Sequence, residues 1–294
     1  MLVKFAPMLF VLLWSSSFIA VKTGLRHLSP LLFVAIRQAA CAAILVAILA
    51  LRRQARDRLT RRQWLHCAVA GALLNAVGIM APHVALLLTP SAQVALVQSL
   101  TPLLTAALGV ALLHEPLRAA QWLGLSLGLT GVALVVGEAA LHSPARFAGL
   151  MLTFTGVLGL VAGTLYFSRF CRGVPLLPGA AAQFLSAAIV AGAGAWLLET
   201  PRADWTAATV AAVAWNTLLV SLGGMGLYAA MLARGTAART TANFFLVPGT
   251  VALLAWLLLG ERLTTLAITG LVVASTGCWL VQRPPPERSR APVS

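Results

Sequence analysis

The sequence predicts an all-α polytopic membrane protein with ten transmembrane helices arranged as two inverted five-helix repeats. Three observations carry that expectation. First, 60% of the 294 residues are hydrophobic and 10% are charged, with a mean hydropathy of +0.92. A soluble domain carries roughly 25% charged residues and could not hide so much apolar surface. Second, one stretch occurs twice: Pro102, Glu115, Leu117, Gly124 and Gly131 recur as Pro248, Glu261, Leu263, Gly270 and Gly277 at one constant offset (248 − 102 = 146). Each copy reads as an apolar helix with Pro near its start, a short polar turn carrying Glu, and a Gly-bearing apolar helix. Third, Lys and Arg collect in alternate gaps between the apolar runs.

Apolar runs of about 18 residues mark spanning helices. They lie at about 4–22, 31–51, 64–87, 91–113, 119–137, 147–168, 178–198, 207–232, 238–259 and 264–281. The connections are short, apart from the charged stretch from Arg52 to Arg62. The first repeat is placed at 1–140 and the second at 141–282, followed by a cytoplasmic tail, 283–294, with nothing apolar to bury and therefore expected to be disordered.

Ten spans put both termini on one side. That side carries 15 Lys and Arg and the other 5, with Arg37 inside a helix completing the 21. The positive-inside rule then places both termini in the cytoplasm. The same distribution explains the net charge of +14 without a nucleic-acid partner. Five spans per repeat is an odd number, so the second repeat crosses in the opposite sense, with the Glu115 turn cytoplasmic and the Glu261 turn external. An inverted repeat in an apolar chain points to a transporter whose halves exchange conformations to open alternately to each side. The four cysteines (Cys41, Cys67, Cys171, Cys278) lie singly, without CxxC spacing, and no metal or other cofactor is expected. The first apolar stretch is too long and too polar at its centre for a secretory signal.

The chain resembles the EamA-type transporters of the drug/metabolite transporter superfamily. The resembling residues are Leu13-Trp14-Ser15-Ser16-Ser17-Phe18-Ile19-Ala20, Ser29-Pro30-Leu31-Leu32 with Ala35-Ile36-Arg37, and the two Pro-to-Gly stretches, over about residues 4–281. The resemblance implies ten spans in two inverted halves, export of small metabolites, and a central cavity lined by helices one, three, four, six, eight and nine. Helix six departs from the pattern: Leu158-Gly159-Leu160-Val161-Ala162-Gly163 has no Trp-Ser-Ser, and Gln183 stands at the offset position of Arg37.

Polar side chains inside the membrane mark candidate binding positions, because a polar group in hydrocarbon needs a partner helix or a cavity. Ser91, Gln98, Thr101 and Thr105 share one face of helix four. Asn75 and His83 share a face of helix three. Trp14, Ser17, Tyr166, Asn216, Tyr228 and Asn243 complete the substrate-binding candidates, against the plainer reading that each joins helices by hydrogen bonds or packing. Arg37 either snorkels to the outer surface or holds neighbouring carbonyls in a structural or gating role. Lys22 ends helix one, at the mouth of the expected cavity. Pro102 and Pro248 are paired breaks suited to flexing. Glu115 and Glu261 suit turn chemistry and the dipole of the helix that follows.

No H-E-x-x-H, carboxylate pair or phosphate loop favours an intramembrane enzyme, and no ring of charges suggests a channel. A non-transporting scaffold or regulatory subunit is the remaining alternative. With one embedded Arg and no embedded acid, the expected solutes are small, neutral or zwitterionic metabolites such as amino acids. The expected setting is the bacterial inner membrane, with the lipid bilayer and a small-molecule substrate as partners, and a monomer or homodimer as the assembly.

Overall fold

The computed structural model describes residues 2–52, 59–113, 119–224, 226–227 and 246–282. Tyr228, Asn243, Glu115 and the tail 283–294 lie outside the described residues. Within them the chain forms ten helical segments, labelled here in order. They are α1 (Leu2–Gly24), α2 (Pro30–Arg52), α3 (Arg61–Leu88), α4 (Ser91–Gln98 continued by Leu100–Leu113) and α5 (Ala119–His142). The second half supplies α6 (Pro144–Phe170), α7 (Leu176–Leu198), α8 (Ala207–Gly223), α9 (Val247–Leu259) and α10 (Thr265–Gln282). The first seven contain stretches long and apolar enough to cross a membrane; the last three are apolar but shorter. Among the described residues the extended structure is one isolated antiparallel bridge, Leu28 to Ala203.

Local chemistry sets several boundaries. Thr60 and Gln63 form a capping box at the start of α3. Ser143 caps α6, with Pro144 in the first turn where its missing N–H costs nothing. Thr206 caps α8. Pro102 has no N–H to offer Gln98, and the α4 helix breaks three residues earlier, at Ser99, whose hydroxyl donates to Leu96 O at 2.6 Å. Pro248 lies in the first turn of α9 as described, where its missing N–H costs nothing.

The packing is two-fold related. α1 lies on α8 and α9, and α6 lies on α3 and α4; α2 pairs with α7, α4 with α9, and α5 with α10. Exchanging the two halves leaves this set of pairs unchanged. The repeated glycines sit where the pseudo-axis requires close backbones. A Cβ on Gly124 would come within 2.5 Å of Gly277 O, and one on Gly131 within 2.5 Å of Gly270 O. The four glycines that recur in sequence therefore meet crosswise between α5 and α10.

Two segments wind as π-helix: Ala72–Val77 in α3 and Trp215–Gly223 in α8. At the repeat offset the first falls on 218–223, inside the second. Wider turns of this kind release backbone geometry and recur at functional sites.

Gly131→Leu is expected to force α5 from α10 and destabilise the fold by more than about 1–3 kcal/mol. Gly109→Ala, where nothing lies within 4 Å of the added carbon, is expected to be neutral. Thermal unfolding of both variants in detergent checks the contrast.

Candidate functional site

Glu261 lies at one end of the bundle, just beyond the end of α9. There Gly260 adopts φ +68°, a left-handed conformation that closes α9 by returning the Glu261 N–H to Ala255 O at 3.1 Å. This aims the Glu261 side chain across the repeat boundary. Its Oε1 accepts from Lys22 Nζ at 2.6 Å and from Ser91 Oγ at 3.0 Å, and its Oε2 accepts from the Ser91 N–H at 2.7 Å. Lys22 Nζ also donates to Thr89 O at 3.2 Å. One carboxylate thus joins the end of α1, the start of α4 and the end of α9, next to the α3–α4 turn. It caps α4, whose own N-cap residue, Pro90, offers no side-chain bond. The turn-and-dipole expectation for Glu261 is therefore corrected: it serves the N-terminus of α4, from the other half, instead of that of α10.

Glu199 repeats the device, accepting from the Leu31 and Leu32 N–H groups at 3.2 and 2.8 Å. Beside it the Leu28–Ala203 bridge is extended by Ser29 N to Arg202 O and Asp204 N to His27 O. Arg202 Nη2 donates to Arg26 O at 2.7 Å. This end is closed by backbone pairing and charge.

A cavity of about 290 Å³ opens in front of Lys22 and Glu261. Its walls are Leu25, Leu86, Leu87 and Leu259, and Arg26 completes its polar lining.

Deeper in the bundle, each serine of the α1 trio reaches the second half. Ser15 Oγ donates to Val247 O at 3.5 Å, Ser16 Oγ accepts from Trp215 Nε1 at 2.9 Å, and Ser17 Oγ donates to Asn216 Oδ1 at 2.6 Å. Ser17 and Asn216 are thus engaged with each other, and Asn216 Nδ2 donates to Ala212 O. Trp14 lies half-exposed beside Phe10, ring centroids 5.6 Å apart. Arg37 is buried and donates to Ser221 Oγ in the α8 π segment at 2.9 Å, which overturns the snorkelling alternative. Its neighbour Gln38 donates to Asn75 O, in the α3 π segment, at 2.6 Å. Asn75 and Ser221 are repeat counterparts, so α2 ties itself to both π segments at equivalent points.

Tyr166 donates or accepts with His66 Nδ1 at 2.8 Å inside an aromatic group with Phe170, near the opposite end, where it joins α6 to α3. Burial raises the pKa of the neighbouring Cys171 thiol, keeping it uncharged.

Several buried polar atoms have no hydrogen-bond partner among the described residues: His83 Nε2, Thr101 Oγ1, Thr105 Oγ1, Thr217 Oγ1, and the amide oxygens of Gln38 and Gln93. His83 Nδ1 is bonded to Ile79 O at 2.8 Å, and its ring lies 5.7 Å from that of Phe33. The α4 hydroxyls stand out against Thr130, Thr153, Thr155, Thr164, Thr269 and Thr276, which all donate to the carbonyl four residues back. Gln98 is half-buried just before the Ser99 break. Ser91, expected on the same face, is instead held at the Glu261 end.

Sequence reasoning missed Glu199, Gln38, Gln93, Thr217 and Ser221, and the link between Glu261 and Ser91. The Thr89-Pro90-Ser91 turn signals a helix start, but no sequence signal names a cap supplied from 170 residues away.

Paired apolar helices with a two-fold related packing, polar groups in the interior and a charged closure at one end define a multi-pass membrane protein. The chain belongs to the EamA-like transporter family, whose model matches residues 3–137 and 147–283. It is a membrane transporter. It is 26% identical to a probable amino-acid metabolite efflux pump of Salmonella typhimurium, over 94% of this chain and 93% of the relative. It is also 26% identical to the inner membrane transporter YedA of Escherichia coli (strain K12), over 86% of this chain and 81% of the relative. A solved crystal structure of a protein 20% identical shares the fold, with a TM-score of 0.67 over 95% of each chain.

Glu261→Ala is expected to cost about 2–4 kcal/mol, because it strands a half-buried ammonium and leaves the first α4 amide unmet. Glu261→Gln, which keeps an acceptor for the Ser91 N–H, is expected to cost less than half of that. Unfolding of the two variants in detergent, followed by temperature, measures the difference.

Proposed function

We propose that the protein is a multi-pass inner-membrane exporter of small neutral or zwitterionic metabolites, amino acids or related amphipathic compounds, working by alternating access. In this reading ten spans form two inverted five-helix repeats, both termini are cytoplasmic, and the Glu261 end faces outward. The observation that carries it is the pair of buried, unpartnered hydroxyls of Thr101 and Thr105 in α4. A structural threonine in a spanning helix bonds its own helix, as the six named above do. Hydroxyls held buried without that bond are available to a solute. The 146-residue repeat, the two-fold packing and the matched π segments support halves that exchange conformations. The name of the Salmonella relative supports amino-acid metabolites as the cargo class.

Cells with and without the protein, loaded with a metabolite panel, test the reading. Export of amino acids or close relatives above the empty-vector rate is the expected result. Equal rates across the panel at confirmed expression would favour the non-transporting scaffold instead. Thr101→Val and Gln98→Ala are expected to raise the half-saturation concentration of the exported solute about fivefold to tenfold, the loss of one hydrogen bond. Unchanged affinity and preference in both variants would move the pocket away from α4.

Energy coupling follows from the same residues. Among the described residues no Asp or Glu lies in the middle of a span, and His83 is the mid-span group that titrates near neutral pH in ordinary surroundings. The expected driving force is the solute's own gradient. In proteoliposomes with a pH gradient and no solute gradient, no uphill accumulation is expected; accumulation lost in His83→Gln, with solute exchange retained, would assign a proton to His83.

A further inference from the structure

We propose that the cavity in front of the Lys22–Glu261 pair is a binding site for the carboxylate of an amphipathic organic acid or amino acid. It rests on the export reading only for its place in the cycle, as the outer station where solute leaves or re-enters.

The charges decide the ligand's polar group. Glu261 is engaged at both oxygens: Oε1 holds Lys22 Nζ and Ser91 Oγ, and Oε2 holds the Ser91 N–H. Lys22 spends two of its three protons, on Glu261 and on Thr89 O, and keeps one. Arg26 has no carboxylate partner among the described residues, and it lines the same cavity. Two cations against one carboxylate leave the site a net positive charge and a forked donor, the arrangement that takes a carboxylate.

The walls decide the rest of the ligand. Leu25, Leu86, Leu87 and Leu259 present an apolar surface in a space of about 290 Å³, enough for one small branched hydrocarbon chain beside the charged group. A carboxylate bound there competes with Glu261 for Lys22. Occupancy therefore loosens the junction of α1, α4 and α9, and it links the presence of solute to opening of this end.

The test reads occupancy without requiring flux. Leu87 is exposed on the cavity wall, and the four natural cysteines are buried. A Leu87→Cys variant of the full chain in detergent is labelled with an uncharged polyethylene-glycol maleimide. Saturating 4-methylpentanoate is expected to slow labelling at least threefold. The same concentration of 4-methylpentanamide, equal in shape and without charge, is expected to leave the rate unchanged. Adding Arg26→Gln is expected to remove the acid's protection, and Glu261→Gln to raise its apparent affinity severalfold by removing the competitor. Saturation-transfer NMR on the wild-type chain and on Arg26→Gln gives the same comparison without an introduced cysteine. Equal protection by acid and amide, protection that survives Arg26→Gln, or no binding of the acid by either method would overturn the site. Failure here leaves export untouched, and failure of export leaves this binding measurable.

Discussion

The closure of one end of the molecule depends on where the Glu261 carboxylate goes. The first backbone N–H groups of a helix have no partner within it and must be met by a side chain, by water or by a neighbouring segment. α4 begins after Pro90, which has no side chain to offer, so its first amide is met by a residue from the other half of the chain. That carboxylate is held in turn by Lys22 from α1. Glu199 does the same for α2 from the end of α7. Both devices join the halves by ionised groups. In the alternating-access reading such joints are reversible, because water, cations or a competing carboxylate take over each partner when the end opens. Apolar packing across the same gap would expose hydrocarbon instead.

Elsewhere the halves meet in two ways, and the difference explains an oddity of the sequence. α1 sits on α8 and α9 through hydroxyls, with Ser15, Ser16 and Ser17 each bonded to the second half. Its counterpart α6 carries Val161, Ala162 and Gly163 at the positions of Ser15, Ser16 and Ser17 and lies directly against α3, with glycines along the contact. A Cβ on Gly156 would strike the Pro82 ring, and one on Gly163 the Leu74 side chain. Helix six lacks a Trp-Ser-Ser stretch because close backbone approach does the holding there. The two-fold relation therefore constrains the backbone path, while the side chains at equivalent contacts differ in kind.

Much of this was legible in the sequence. Hydropathy located the helical runs, and the 146-residue offset foretold matched glycines, which meet across α5 and α10. For the membrane-embedded Arg37, snorkelling and a hold on neighbouring carbonyls were both open; its actual partner was not readable, because Ser221 is one among many hydroxyls until α8 is wound. The π segments left no trace, since hydrophobic periodicity barely separates a single wide turn from an α-helix in an apolar run. Ser91 was misplaced because spacing of 7, 3 and 4 assumes an unbroken helix, and the turn at Ser99 breaks it. Ser17 and Asn216 were each recognised as polar in hydrocarbon; that they satisfy one another is a long-range fact that spacing does not carry.

The departure from symmetry bears on the energetics of exchange. At the repeat offset, Lys22 corresponds to Ser168 and Ser91 to Ala237. The Glu115 turn thus has neither an ammonium nor a capping hydroxyl at the positions that serve Glu261. An inverted repeat with identical ends would place its two closed states at equal energy. In the alternating-access reading proposed above, the Glu261 end is held by an ion pair and a capping serine whose counterpart positions carry Ser168 and Ala237, so the repeat does not impose equal energies on the two closed states. A solute shifts such an equilibrium only by binding one state better than the other. In that reading Lys22 supplies the difference: an anion that draws it from Glu261 favours the state in which this end is open.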